Sequence, residues 1–236
     1  MRTIGILGGM SWQSSADYYR HINAGVVERL GGYHSARTLM LSVDFAEIEA
    51  LQAADDWDGA GQLLAEDARA LEAGGAGAII LATNTMHRVA EAIEAAVSIP
   101  LLHIADPTGD AIRSAGLSRV ALLGTRYTME HEFYRGRLGE RFGLEALVPD
   151  EPDRSLVHDV IYDELVHGVV RDESREAYRG VVSRLVARGA EGVILGCTEI
   201  GLLLSTADVP IPVFDTTRLH CEAAVDWLLA DGPREG

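Results

Sequence analysis

Short apolar runs, each closed by glycine or a polar residue, recur along the chain. They cover Thr3–Leu7, Thr38–Val43, Ala78–Leu81, Pro100–Ile104, Val120–Leu123, Leu144–Val148, Val193–Leu195 and Pro212–Phe214. Runs of this length without polar alternation predict strands buried on both faces. Helical patterns lie between them. Tyr19, Ile22, Val26 and Leu30 step by three and four residues, and Gly31-Gly32 stops that helix. Asp106-Pro107 predicts an N-cap followed by proline at the first helical position, opening a helix to about Ala115. Asp215-Thr216-Thr217 opens the last helix, and the acidic run Asp55-Asp56-Trp57-Asp58 reads as a solvated helix start. Apolar strands alternating with helices predict parallel sheets covered by helices on both faces.

The same pattern occurs twice. Ile4-Gly5-Ile6-Leu7-Gly8 matches Val120-Ala121-Leu122-Leu123-Gly124, an offset of 116 from Gly8 to Gly124. Gly75 to Thr83 matches Gly189 to Cys197, an offset of 114, and Ile99-Pro100-Leu101-Leu102 matches Ile211-Pro212-Val213-Phe214, an offset of 112. Three matches in order at a nearly constant offset predict an α/β protein of two pseudo-symmetric lobes. Each lobe is expected to be a mostly parallel sheet with helices on both faces. Residues 1–112 with about 208–236 would form lobe one, and about 113–207 lobe two. Ligands of open α/β sheets bind beyond the C-terminal strand ends. The expectation is therefore an active site in the cleft between the lobes, with Gly8, Thr83, Gly124 and Cys197 lining it.

Composition narrows the classes. The chain has 236 residues, 47% of them hydrophobic, and a net charge of −16. A field of that sign repels nucleic acid and anionic membranes, so neither is expected as a partner. An acidic substrate would have to be held by local groups against that field. Two cysteines, Cys197 and Cys221, are too few for a disulfide framework and suit a reducing compartment. No apolar run reaches membrane-spanning length, and residues 1–7 read as a strand with no signal-peptide core. A complete cytoplasmic chain is expected.

The chemistry concentrates at the strand ends. Thr83-Asn84-Thr85-Met86-His87 follows one strand, and Cys197-Thr198-Glu199 follows its repeat equivalent. Free backbone N–H groups at a helix start favour a carboxylate or a thiolate there. Thr85, Thr125, Thr128 and Thr198 offer hydroxyls to a carboxylate, and Glu199 can accept or relay the Cys197 proton. Cys197 is either an ionisable base or a small buried hydrophobe. Thr83 reads as a helix N-cap or a chemical group, and the two roles can coexist. His87 reads as structural and Cys221 as core. Gly5 to Ser11 lacks both phosphate-loop patterns. No zinc-ligand spacing and no Gly-x-Ser-x-Gly elbow is present.

Gly5-Ile-Leu-Gly-Gly-Met-Ser-Trp12, Ser42-Val-Asp-Phe-Ala-Glu-Ile-Glu49, Thr83-Asn-Thr-Met-His87, Leu123-Gly-Thr-Arg-Tyr-Thr-Met129, Gly196-Cys-Thr-Glu-Ile200 and Asp215-Thr-Thr-Arg-Leu-His220 together resemble the aspartate/glutamate racemase family, from about residue 3 to about 228. The resemblance implies a cofactor-independent isomerase that needs no pyridoxal phosphate; with no zinc-ligand spacing in the chain, no metal is expected either. It also implies a small amino-acid substrate and allows a homodimer. In that family two cysteines flank the substrate Cα: one thiolate removes the α-proton, and the other thiol protonates the opposite face. Here Cys197 is kept, while Thr83 stands where most members have the other cysteine. That pair is similar to the subgroup specific for L-aspartate and L-glutamate, in which the second-lobe cysteine handles the L-enantiomer. A threonine hydroxyl is too weak an acid to be a resting base, so the site is expected to be lopsided. Many aspartate racemases carry an arginine near the position of Glu47–Leu51 and a lysine near that of Val166, and both are missing here. Backbone N–H groups, Met10, Gln52, Asn84 and the threonine hydroxyls are then the groups left to bind substrate. A related decarboxylase or isomerase of a small dicarboxylate, or an amino-acid-binding protein without turnover, remains the alternative.

Overall fold

The computed structural model describes residues 1–230. Positions 231–236, assigned above to lobe one, lie outside the described residues. The chain divides into two compact units. Of the described residues, unit one comprises Met1–Ile104 and 220–230, and unit two comprises Ala105–Leu219.

Unit one runs β1 (Ile4–Gly8), α1 (Trp12–Leu30), β2 (Thr38–Ser42), α2 (Phe45–Ala53), α3 (Trp57–Ala73), β3 (Ala78–Leu81), a 3-10 turn over Thr85–Val89, α4 (Ala90–Ala96) and β4 (Leu101–Leu102). Its strands pair in the order β2-β1-β3-β4, all parallel. Unit two runs α5 (Ala105–Ser114), β5 (Arg119–Gly124), α6 (Arg126–Glu130), α7 (Glu132–Phe142), β6 (Glu145–Leu147), α8 (Asp153–Asp163), a 3-10 turn over Leu165–His167, α9 (Asp172–Ala187), β7 (Gly192–Gly196), a second such turn over Thr198–Leu202, β8 (Val213–Asp215) and the start of α10 (Thr216–Leu229). Its strands pair as β6-β5-β7-β8, again all parallel. The sequence repeat is therefore a repeat of topology, with β1 equivalent to β5 and β3 to β7. Each of the eight apolar runs overlaps a strand.

The apolar runs fill separate cores. Ile4, Ile6, Tyr18, Ile22, Val26 and Ile80 pack with Ala224, Val225 and Leu228 in unit one. Ala121, Leu123, Val157, Tyr178, Val181, Val193 and Leu195 pack in unit two. The buried stripe of α1 differs from the expected one at its first position: Tyr18 is fully buried, whereas Tyr19 is 52% exposed. A four-residue step from Tyr18 through Ile22 to Val26 keeps one face on the sheet, and Tyr19 falls outside it. Ser11 caps this helix by accepting from the Ser14 N–H, and Gly31 ends it at φ 69°. Asp56 caps α3 by accepting from the Gly59 N–H at 2.8 Å, as a solvated helix start should.

Asp106 does not play the capping role expected of it. It lies inside the first turn of α5 and is not its cap. Its carboxylate is held by Arg137 in a bidentate pair, at 2.6 and 2.7 Å, and by Arg141 at 2.6 Å. The arginines of α7 compete successfully for an oxygen pair that the local sequence offered to the backbone. Because α5 packs on α7 and β8, the whole helix belongs to unit two. The division accordingly falls at 104/105 and 219/220, where the sequence suggested 112/113 and about 207/208. Among the described residues no helix is long and apolar enough to cross a membrane.

Candidate active site

In unit one the polar residues gather where β1 and β3 end. The chain leaves β1 through Gly8-Gly9. Gly9 has φ 98°, and a Cβ there would stand 2.3 Å from the Val43 carbonyl oxygen, so only glycine fits. This lets the Gly9 N–H donate to Ser15 Oγ at 2.7 Å, and Ser15 Oγ donate on to the Ser11 carbonyl at 3.0 Å. Met10, in the same turn, is buried. From α1, Ser14 Oγ reaches across to donate to the Ala82 carbonyl at 3.0 Å. That bond fixes the exit of β3 one residue before Thr83.

Thr83, Asn84 and Thr85 then follow as a buried turn. The Thr83 N–H bonds the Leu81 carbonyl at 2.8 Å. Asn84 precedes the 3-10 turn without a side-chain cap bond, so Thr83 does not act as the expected α-helical N-cap. Gln52 of α2 is buried beside this turn and donates Nε2–H to the Met86 sulfur at 2.9 Å. Met10, Gln52, Thr83, Asn84 and Thr85 are thus all placed in unit one, with Gln52 tied directly to the Thr83–His87 segment.

Unit two repeats this arrangement with different chemistry. Thr125 follows β5 and caps α6, its Oγ1 accepting from the Thr128 N–H at 3.3 Å. Thr128 is fully buried, and its hydroxyl lies 3.3 Å from that of Thr125. The two threonines share a cap, which commits part of their hydrogen-bonding capacity to α6. His158 of α8 accepts from the next N–H of the same turn, that of Arg126, at 3.2 Å. No sequence signal pointed to His158, which reaches the turn only because α8 packs beside α6.

Cys197 leaves β7 in an extended conformation, directly before the 3-10 turn. Its thiol donates to Glu199 Oε2 at 2.9 Å, and Thr198 Oγ1 donates to the same oxygen at 2.6 Å. Glu199 is buried, while Cys197 keeps part of its surface exposed. Enough protein still surrounds the sulfur for burial to push its pKa well above the usual thiol value. The Glu199 charge and the hydrogen bond to Glu199 push in the same direction. The backbone N–H groups of Thr198 and Glu199 favour the thiolate, as expected at a strand end, but are outweighed. The resting site therefore holds a thiol poised against a carboxylate, not the free thiolate that a helix start alone would favour. Tyr178 lies beneath it, fully buried, donating to the Val157 carbonyl at 2.7 Å. Burial raises the Tyr178 pKa well above its ordinary value, with the Cys197 charge adding to the effect, so the phenol stays a neutral donor.

The remaining cysteine is core: Cys221 packs among Ile22, Val26 and Val225. Among the described residues no group of three or more His, Cys, Asp or Glu side chains is arranged to hold a metal ion.

The sequence profile of Asp/Glu/hydantoin racemases matches residues 7–224. The chain belongs to the Asp/Glu/hydantoin racemase family. It is thereby an enzyme of the amino-acid racemase class, an isomerase. A crystal structure of a candidate Asp/Glu racemase from Yersinia pestis is 52% identical, covers 97% of this chain and 100% of its own, and superposes with a TM-score of 0.92. An aspartate racemase homologue from Pyrococcus horikoshii OT3 is 32% identical over 97% of this chain and 99% of its own, with a TM-score of 0.83. The broad specificity amino-acid racemase RacX of Bacillus subtilis (strain 168) is 25% identical over 175 residues, which is 74% of this chain and 75% of its own. The paired four-stranded parallel sheets are those of the two-lobed racemases in this family.

Proposed function

We propose that the protein racemises acidic amino acids without pyridoxal phosphate, with L-aspartate and L-glutamate preferred. The observation that carries this reading is the thiol of Cys197 on Glu199 Oε2, 2.9 Å away at the end of β7. In the proposed reaction Glu199 takes the thiol proton, and the thiolate abstracts the α-proton of the L-isomer, leaving a carbanion. Thr83 Oγ–H gives a proton to the opposite face; its hydroxyl is then reprotonated from solvent and Glu199 releases the proton it took, which restores the resting site. The α-ammonium of a bound substrate counters both forces that keep the sulfur protonated, since it replaces lost solvation and offsets the Glu199 charge. Met10, Gln52, Asn84, Thr85, Thr125, Thr128 and Thr198 are the proposed binding groups. Two free cysteines suit the reducing cytoplasm, where this reading puts the enzyme.

The test is proton NMR in D₂O with both enantiomers of aspartate and glutamate and no added cofactor. The L-isomers should lose their α-proton signal, and the D-isomers should lose it far more slowly. No exchange with any of them, or faster exchange with the D-isomers, overturns the reading. A second reading draws on the protonated state of Cys197. A resting thiol is a proton donor, which is what a decarboxylase needs after CO₂ has left a malonate-type substrate. Release of CO₂ from such a dicarboxylate, with inert amino acids, would select it.

A further inference from the structure

His87 bridges two backbone groups in the interior of unit one. Its Nδ1 lies 2.8 Å from the Thr83 carbonyl oxygen, and the Ile104 N–H donates to its Nε2 at 3.2 Å. A carbonyl can only accept and an amide N–H can only donate, so the ring is neutral with its proton on Nδ1. His220 carries a proton on the other nitrogen: its Nε2 donates to the Leu102 carbonyl at 2.7 Å, and its Nδ1 lies 2.9 Å from Tyr18 Oη. The two imidazoles thus grip the end of β4 at Leu102 and at Ile104. His103 packs against His87 with ring centroids 4.5 Å apart, and all three rings are buried. Ile104 is a fixed anchor, and His87 is a rigid strut from that anchor to the carbonyl of Thr83.

The repeat shows that the fold does not require this strut. The 114-residue offset that relates Thr83 to Cys197 relates His87 to Gly201. Unit two builds the same strand and 3-10 turn, over Gly192–Gly196 and Thr198–Leu202, with glycine at that place. Unit two, whose strand end carries the Cys197 thiol, has no imidazole at that place. A hydroxyl donates effectively only over about 2.5–3.0 Å, a tighter tolerance than a large sulfur needs. We infer that His87 is a positioning residue for Thr83, fixing the Thr83–Thr85 turn through a single imidazole tautomer. The inference rests on the proposed role of Thr83 as proton donor.

Two variants separate the two bonds. His87→Asn keeps a donor near the Nδ1 position and so keeps the Thr83 link. His87→Gln keeps an acceptor near the Nε2 position and so keeps the Ile104 link alone. With L-aspartate in D₂O, two rates are read: α-proton exchange that returns the L-isomer, which needs only Cys197, and inversion, which needs the second face. His87→Gln should lower the ratio of inversion to exchange about tenfold, since a misplacement of about 1 Å costs up to 100-fold in rate. His87→Asn should restore the ratio to within about threefold of the parent. Nitrogen-15 NMR of the resting parent protein should show His87 protonated at Nδ1 and bare at Nε2, whether or not the variants fold. An Nε2–H tautomer or a doubly protonated ring overturns the inference. So does a parent-like ratio in His87→Gln, or an equal loss in both variants; either leaves the racemase reading intact. Absence of exchange in the parent overturns the racemase reading itself, and the positioning role with it.

Discussion

Gly124 and Gly196 are paired across β5 and β7 at the point where Thr125 and Cys197 leave the sheet. A Cβ on Gly124 would lie 2.9 Å from the Gly196 carbonyl oxygen and 3.1 Å from Thr128 Cβ. An ordinary contact is about 3.4 Å or more, and the obstructing atom belongs to the neighbouring strand, so the strands must part by a few tenths of an ångström. Gly124 has no positive φ, so the alanine backbone itself is unstrained and the clash acts alone. Overpacking of this kind costs about 1–3 kcal/mol. For a chain of this size that lowers Tm by about 2–4 °C per kcal/mol. Gly139 in α7 is the control: its nearest foreign atom is 3.7 Å away, so Gly139→Ala should gain about 0.5–1 kcal/mol from helix propensity. Parting β5 from β7 also moves Cys197 relative to Thr125, and α-proton exchange should fall about tenfold or more in Gly124→Ala. Calorimetry and D₂O exchange on both variants read these outcomes. A Gly124→Ala protein as stable and as active as its parent would refute the argument that this glycine pair sets the strand spacing at the site.

In a Cys221→Ala background, Glu199→Gln should lower the pH at which Cys197 ionises, because the Glu199 charge and hydrogen bond both hold it up; ultraviolet thiolate absorbance follows the titration, and an unchanged or higher midpoint would contradict the assignment. Cys197→Ala should abolish α-proton exchange, and Thr83→Cys should open fast exchange with the D-isomers, since a free thiol ionises near pH 8.5 and a hydroxyl does not ionise in that range. The His158 pKa is lowered, first by burial and then by the Arg126 charge. The fold thus favours the neutral ring, and its contribution is full above the ordinary histidine value of about 6.5 and lost as pH falls through the lower folded value. His158→Asn keeps an acceptor for the Arg126 N–H and should flatten this part of the acid dependence of the urea midpoint between pH 7 and 5; equal slopes in parent and variant would discount His158.

The strands, the repeat and the polar runs at two equivalent strand ends are legible in the sequence alone. Those features are local. A run such as Ala78–Leu81 is apolar on both sides because helices cover both, and Gly8-Gly9 or Gly31 marks a turn through its own backbone freedom. Tertiary structure decided what each polar side chain does. Asp106 looked like a cap until the guanidinium groups of Arg137 and Arg141, 31 and 35 residues away, took its oxygens. Gln52 found the sulfur of Met86, and His158 found the N–H of Arg126, across separations no local pattern encodes. Cys197 was legible as a candidate reactive group, but its protonation was not. That state depends on enclosure by the surrounding chain and on a carboxylate folded back onto it, and a charge's free energy is set by everything within a few ångströms, not by its neighbours in sequence.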